Sequence, residues 1–373
     1  MKKLAAFILC IQVMILLKPI SVYAHEASNV IELQCEDTFE ALSVNIIDQE
    51  HCLLAGHTGT GDAAVPAVYC TRLDGRLMWE HKTDNTERTF YMAYKHGGEY
   101  FALCAPDDNM STIVKIQEGE RKPFVSYASS LLRMCPSDDE IYFFQKPSFD
   151  KAVIIKAAYD GKVVWERKLE NPYFFYDIIA APDGVIALGY WREDYDSIPK
   201  GIVLKLDLDG NILWEHLSEE NCQFKSGICK PDGSVVVVGD TENTLSTASD
   251  YTHGFVACYD ERGQVWWSNY QYGERTEGNM ASILAVPDGY IIACDVRKHP
   301  SQIRIVLVDK AGNYIDEWEE VIEPVCDSLY FSLFNINGRY YLIANGRMEP
   351  TTSIDGTPRI NANFKTVLKE ILL

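Results

Sequence analysis

A ten-residue phrase returns along the chain: TRLDGRLMWE at 71–80, AAYDGKVVWE at 157–166 and LDLDGNILWE at 206–215, with a looser copy, CYDERGQVWW, at 258–267. Each copy alternates apolar residues, passes through Asp-Gly or a near equivalent, and ends a second apolar run in Trp. Asp-Gly is a strong hairpin signal, because Gly takes positive φ without a Cβ clash and Asp tolerates such turns better than most residues. The phrase is a β-hairpin. A chain that repeats one such unit cannot bury each copy alone, so the copies must stack on one another.

With the turn glycine as a ruler, hairpins fall at Gly75, Gly119, Gly161, Gly210, Gly263 and Gly312. The Gly119 copy, KIQEGERKPF, is degenerate and has Phe124 near the Trp position. A second phrase lies between them: APDGVIALGY at 181–190, KPDGSVVVVG at 230–239, VPDGYIIACD at 286–295 and NINGRYYLIA at 335–344. Two hairpins make a unit of four strands, a to d. Four strands with a period in the forties predict an all-β fold, a β-propeller of four-stranded antiparallel blades around a central axis. Seven blades are expected, near 40–80, 90–125, 131–168, 176–217, 224–270, 280–320 and 329–373. The last supplies strands a, b and c, but no d. The unassigned apolar stretch at 30–33 is expected to act as that outer strand and close the ring.

Blades four to six, from about Asp177 to Glu320, resemble the repeats of secreted bacterial propellers of the PQQ-like superfamily, with a WD-repeat-like architecture. Pro182, Asp183, Gly184, Gly189, Lys205, Asp207, Gly210 and Trp214 show the pattern most fully. Blades one, three and seven match in part and blade two poorly. The resemblance implies the fold and leaves the activity open, because that superfamily includes quinone-dependent dehydrogenases and assembly scaffolds alike.

Residues 1–24 read as a signal peptide: Lys2 and Lys3, an apolar stretch from Leu4 to Leu17, Pro19, and Val22-Tyr23-Ala24 as a small-residue cleavage site. The apolar stretch is short for a membrane span, which needs about 20 residues. Residues 25–373 are then one exported propeller domain, secreted or on the outside of the cell envelope and not inserted in a membrane. The formal net charge is −20, and removal of three lysines with the leader makes it −23. Such a surface repels nucleic acid and anionic membrane. The mature chain is expected to be a monomer.

Ten cysteines follow the leader with no C-x-x-C pair, so no zinc site is expected, and most read as buried free thiols. Asp207-Leu208-Asp209-Gly210-Asn211 resembles the start of a calcium loop, but Ile212, Leu213 and Trp214 follow at once, which favours a hairpin turn. The recurring tryptophans at 79, 165, 214 and 267, with Trp318 as a further candidate for the series, could suggest sugar stacking, but recurrence at equivalent positions argues for packing between blades. No G-x-S-x-G, H-E-x-x-H or phosphate-binding glycine loop is present. No set of ligands for a quinone and its calcium can be picked out, and neither cofactor nor metal is expected.

Strand order places the tight a–b and c–d turns on one face and the b–c and d–a loops on the other. The b–c loops are long and varied: 56–67, 190–200, 240–253, 295–302 and 346–362. Binding residues concentrate on such loops. The candidates gathered there are His57, Asp62, Tyr190, Trp191, Arg192, Glu193, Asp194, Tyr195, Asp196, Asp250, Tyr251, His253, Arg297, His299, Arg347 and Glu349. An aromatic, acidic and basic mixture around a central opening suits a protein or glycan ligand. Two catalytic alternatives remain in view. An extracellular carbohydrate hydrolase or lyase would use a carboxylate pair such as Glu193 and Asp196. A quinone- or metal-dependent oxidoreductase has the fold analogy alone behind it.

Overall fold

The computed structural model describes residues 30–35, 39–59, 64–83, 89–107, 110–117, 120–127, 131–194, 196–241, 253–269, 280–295, 302–322, 327–347 and 364–373. The strands form five four-stranded sheets and one of seven strands, all antiparallel between neighbours. In the seven-stranded sheet one long strand, Ile212–Cys229, pairs first as strand d of blade four and then, from Cys222, as strand a of blade five. Counted by role, the architecture is a seven-bladed β-propeller. Blade two, poorly marked in the sequence, is a complete sheet of Thr89–His96, Glu99–Asp107, Met110–Gln117 and Glu120–Tyr127.

The ring closes through the expected strand. Val30–Leu33 pairs antiparallel with Phe364–Ile371, setting Val30 opposite Lys369 and Leu33 opposite Thr366. Lys365 Nζ meets Glu32 Oε1 at 2.6 Å. Leu33 is buried among Phe39, Tyr69 and Leu368, residues of the first and last blades. The backbone N–H of Gln34 also donates to the Gly75 carbonyl at 2.8 Å in the first blade's c–d turn. One short segment thus covers a sheet edge and joins the two ends of the ring.

The core lies between blades. Each b and c strand is nearly continuous in buried apolar residues, as in Gly184–Trp191 and Lys200–Asp207, because both of its faces meet another sheet. The d strands, at the rim, alternate, as Val163–Leu169 does. The geometry of the c–d turns of blades four and six comes from three local bonds, one of them from the Asn211 or Asn313 side-chain amide to the second oxygen of the turn aspartate. In blade four Asp207 Oδ1 accepts the N–H groups of Asp209 and Asn211, and Gly210 holds φ at 81°. Asp309 does the same for Ala311 and Asn313. These hydrogen bonds hold both carboxyls below the usual carboxylate range, the Asn211 and Asn313 side chains contributing most. The Asp207 segment is a hairpin turn, as its sequence predicts.

The turns of blades four to six also receive the tryptophan of the blade before them. Trp165 Nε1 donates to the Leu208 carbonyl at 2.8 Å, and Trp214 Nε1 to the Glu261 carbonyl at 2.9 Å, the same position one blade on. The rings lie against Gly210 and Gly263, where an added Cβ would come within 2.8 and 2.6 Å of ring carbon. The repeated Trp and Gly are the two halves of one interblade contact.

A bulged ring at the mouth of the channel

Strand a of every blade carries a β-bulge at the same place. The register with strand b slips at Ala41/Ser43, Phe90/Met92, Leu131/Arg133, Phe175/Asp177, Phe224/Ser226, Met280/Ser282 and Ser328/Tyr330. A bulge adds one residue to a strand and re-aims a side chain. The extra residues are Leu42, Tyr91, Leu132, Tyr176, Lys225, Ala281 and Leu329. They lie in the first half of strand a, toward the d–a and b–c loops. The residues after the bulges tie blades sideways: Arg133 Nε donates to the Tyr176 carbonyl at 3.2 Å, Ser226 Oγ to Asp177 Oδ2 at 3.3 Å, and Tyr330 Oη to the Val44 carbonyl at 3.3 Å.

Glycine makes room for the bulge. Gly56, Gly189 and Gly239 sit at the ends of b strands, opposite Ala41, Phe175 and Phe224. A Cβ on any of them would land on a bulge-side carbonyl oxygen, that of Glu40, Phe174 or Gln223 respectively. The glycine that closes the b-strand phrase is therefore the sequence mark of the bulge.

On this face three bulge residues, Leu42, Tyr91 and Tyr176, border a pocket of 380 Å³. That volume is at the lower end of the roughly 300–1,000 Å³ common for ligand sites. Its deep wall is Phe144, Tyr173 and Phe175, all buried. Its upper wall is an aromatic run: Phe174 stacks on Tyr190 with centroids 4.8 Å apart and planes 2° from parallel, and Tyr176 tilts against Tyr190 at 5.5 Å. Lys146 Nζ lies 4.0 Å from the Phe174 ring centre and donates to the carbonyls of Phe149 and Tyr173 at 2.5 and 2.7 Å. Burial pushes the Lys146 amine down to about 8, against a smaller opposing pull from Asp150. Arg133 completes the cationic side of the lining, and no carboxylate lines the pocket. Behind Arg133, burial pushes the Asp177 carboxyl up to about 6, with the Arg133 charge and backbone N–H groups pulling the other way.

The loop candidates are distributed unevenly. Tyr190 is in the pocket wall. Trp191 packs against the core between blades three and four, and Arg192 lies over the Tyr190 ring at 5.2 Å. Glu193 and Asp196 are exposed and absent from the pocket lining. Asp196 belongs to a small turn in which its N–H donates to Asp194 Oδ1 at 3.0 Å and Ser197 Oγ donates to the Asp194 carbonyl at 2.9 Å. His57 is at the end of strand b of blade one, its Nε2 3.7 Å from Glu40 Oε2 and its Nδ1 3.3 Å from Thr89 Oγ1. His253 and Arg347 occupy strand positions opposite Thr241 and Asp327. Asp62, Tyr195, Asp250, Tyr251, Arg297, His299 and Glu349 lie outside the described residues. The a-strand contributors, Tyr91, Arg133, Phe174 and Tyr176, escape a search confined to loops; Gly189 is the signal that could have found Phe174 and Tyr176, whereas Cys104 and Gln145 stand at that place in the blades of Tyr91 and Arg133.

Among the described residues no three His, Cys, Asp or Glu side chains group to hold a metal, and no helix is long and apolar enough to cross a membrane. The nine described cysteines are unbridged, and burial pushes the Cys52 thiol up to about 12.

No family model and no curated protein matches the chain. Solved structures do. Sqt1 from Saccharomyces cerevisiae superposes with a TM-score of 0.57 at 10% identity, covering 93% of this chain and all of that one. YCF48 bound to D1 peptide gives 0.57 at 11% identity, with 94% and 96% covered. Sqt1 from Chaetomium thermophilum gives 0.54 at 12% identity, with 89% and 88% covered. At these identities the likeness is one of fold, the WD40-like β-propeller.

Proposed function

We propose that this chain is a noncatalytic exported propeller that binds a segment of another protein at the channel mouth of its b–c loop face. The observation behind this reading is the aromatic pocket on the bulged a strands, a concave apolar site with few polar groups. The peptide bound to YCF48, a propeller of like fold, supports a protein ligand over a glycan. The exposed position of Glu193 and Asp196 on their own turn gives the hydrolase reading little to work with. Export rests on residues 1–24 and on the PQQ-like repeat pattern of secreted bacterial propellers. The excess of acid, −23 without the leader, suits a soluble monomer outside the cell.

The test is a pull-down from extracellular and envelope extracts with residues 25–373 and with Phe174→Ala/Tyr190→Ala. The expected result is a protein captured by the first and lost by the second, with melting temperatures close together. Equal capture by both would move binding off this pocket. Amino-terminal sequencing of the exported protein should begin at His25, and recovery of an uncleaved chain would refute the signal-peptide reading.

A further inference from the structure

The pocket differs in charge from the rest of the molecule. Across the chain 54 acids outnumber 34 lysines and arginines, yet the lining holds two cations, Lys146 and Arg133, and no acid. Among the described residues neither cation makes a direct ion pair. Lys146 spends two of its three donors on neutral backbone carbonyls, which orient the amine without offsetting its charge. Arg133 spends its Nε on the Tyr176 carbonyl and keeps the remaining guanidinium N–H groups. Asp177, whose carboxyl feels the Arg133 charge, is not part of the lining. The faces around the amine are apolar, Phe174 at 4.0 Å and Phe149 at 5.7 Å, so a charge placed beside it is poorly screened by water.

From this we infer that the pocket selects an acidic side chain next to a bulky apolar one, on an extended segment of the partner protein. The inference rests on the proposed role of this face in binding protein. The apolar side chain fills the space over Phe144 and Phe175, and the carboxylate reaches Lys146 and Arg133. A glycan fits less well, because its many hydroxyls need more hydrogen-bonding partners than this lining offers, and because Tyr190 already covers one face of Phe174. The net negative charge of the molecule repels acidic segments in general, so only a segment that seats its acid against both cations gains from binding. That combination supplies specificity as well as attraction.

The experiment is selection of random linear dodecapeptides displayed on phage, run on residues 25–373, on Phe174→Ala/Tyr190→Ala and on Lys146→Glu. Sequences with Asp or Glu within two residues of Phe, Tyr, Trp or Leu should dominate on the unchanged protein. They should vanish on the aromatic variant and lose their acid on Lys146→Glu. A synthetic peptide from the selection should bind about tenfold more weakly to Lys146→Gln, and more weakly to the unchanged protein as salt is raised from 50 to 500 mM. The salt titration needs no variant to fold. Peptides that require Phe174 and Tyr190 but show no acid excess, or no salt dependence, overturn the acid selectivity and leave the pocket as the binding site. The same peptides on all three proteins overturn the pocket itself. No selected peptide, with uptake on a glycan array instead, overturns the inference in favour of a sugar ligand.

Discussion

The tight-turn rim and the channel mouth are both built by repetition, and they vary in opposite ways. At the rim the residues recur along with the backbone: Asp caps the turn, Gly takes positive φ, and Trp reaches across to the next blade. At the mouth the backbone recurs and the residues do not. Every a strand is bulged, yet the bulged positions hold Leu42, Tyr91, Leu132, Tyr176, Lys225, Ala281 and Leu329. A side chain that must serve the same contact in each copy has to be the same residue. A repeated kink that makes no such shared contact leaves the residue free to differ, and the mixture of Leu, Tyr, Lys and Ala at these positions is what a site for an asymmetric ligand requires. Fold is read where the residues repeat, and function where only the shape does.

A deletion and two substitutions probe that contrast. Deleting residues 30–35 removes the outer strand of the last blade and bares the edge of Phe364–Ile371. The loss should be about 5 kcal/mol or more, comparable to the whole stability of a typical domain, and gel filtration should show aggregates. A monomer of unchanged melting temperature would refute closure by this strand. Gly263→Val should cost about 3 kcal/mol in chemical denaturation, since it places a branched Cβ at φ +79° and within 2.6 Å of the Trp214 ring. Gly189→Ala makes the comparison sharper. Its Cβ meets the Phe174 carbonyl oxygen, so it should destabilise by about 2 kcal/mol and also displace Phe174 and Tyr176, weakening ligand binding where Gly263→Val in a still-folded protein does not.

One pH-dependent contribution to stability lies at the mouth. Asp177 titrates at about 6 in the folded protein, above its ordinary 3.8. A raised carboxyl means the folded state holds the proton more tightly. Its contribution is therefore fully present below about pH 4 and is lost as pH rises through 6. The side chain keeps some contact with solvent, so the loss is about 1–2 kcal/mol and not the full value of the shift. Asp177→Asn should flatten the stability profile between pH 4 and 7 and raise the melting temperature at pH 7.5. An unchanged slope would mean that the Arg133 charge and the Ser226 hydroxyl fully compensate the buried carboxylate.

Most of the scaffold is legible in the sequence, because turn chemistry is local. Asp-Gly followed by an apolar run and Trp contains nearly all the information needed to form that hairpin and seat it on its neighbour. Blade two shows the limit: its c–d copy at Gly119 has neither Asp-Gly nor Trp, and the sheet forms because its neighbours supply both faces of its core. The continuous strand Ile212–Cys229 is another case, since nothing in SEEN at 218–221 announces that two blades share it. The binding wall is less legible. Phe174 is set opposite Tyr190 only by the one-residue slip at Phe175/Asp177, without which Phe175 would stand there, and a bulge is a property of two strands together. Only Gly189, too small for its place in an otherwise branched strand, hints at it.

The smallest expected effect on stability is the most informative for function. Phe174 and Tyr190 are half-buried and stack on each other, with Lys146 and Phe149 also against Phe174 and Tyr176 and Arg192 against Tyr190, over a wall already filled by Phe144 and Phe175. Removing both rings deletes their mutual contact and leaves that deep wall in place, so Phe174→Ala/Tyr190→Ala should lose only about 1–2 kcal/mol. The same change removes the platform beside Lys146. If the mouth is a site and the rim a scaffold, this variant loses its ligand while remaining folded, whereas a rim substitution of equal stability cost, such as Asp309→Ala with its broken turn bonds, keeps binding in proportion to the folded fraction. Measuring melting temperature and peptide binding for the pair separates the two roles. Equal loss of binding at equal loss of stability would show that the mouth is one more structural surface of the ring.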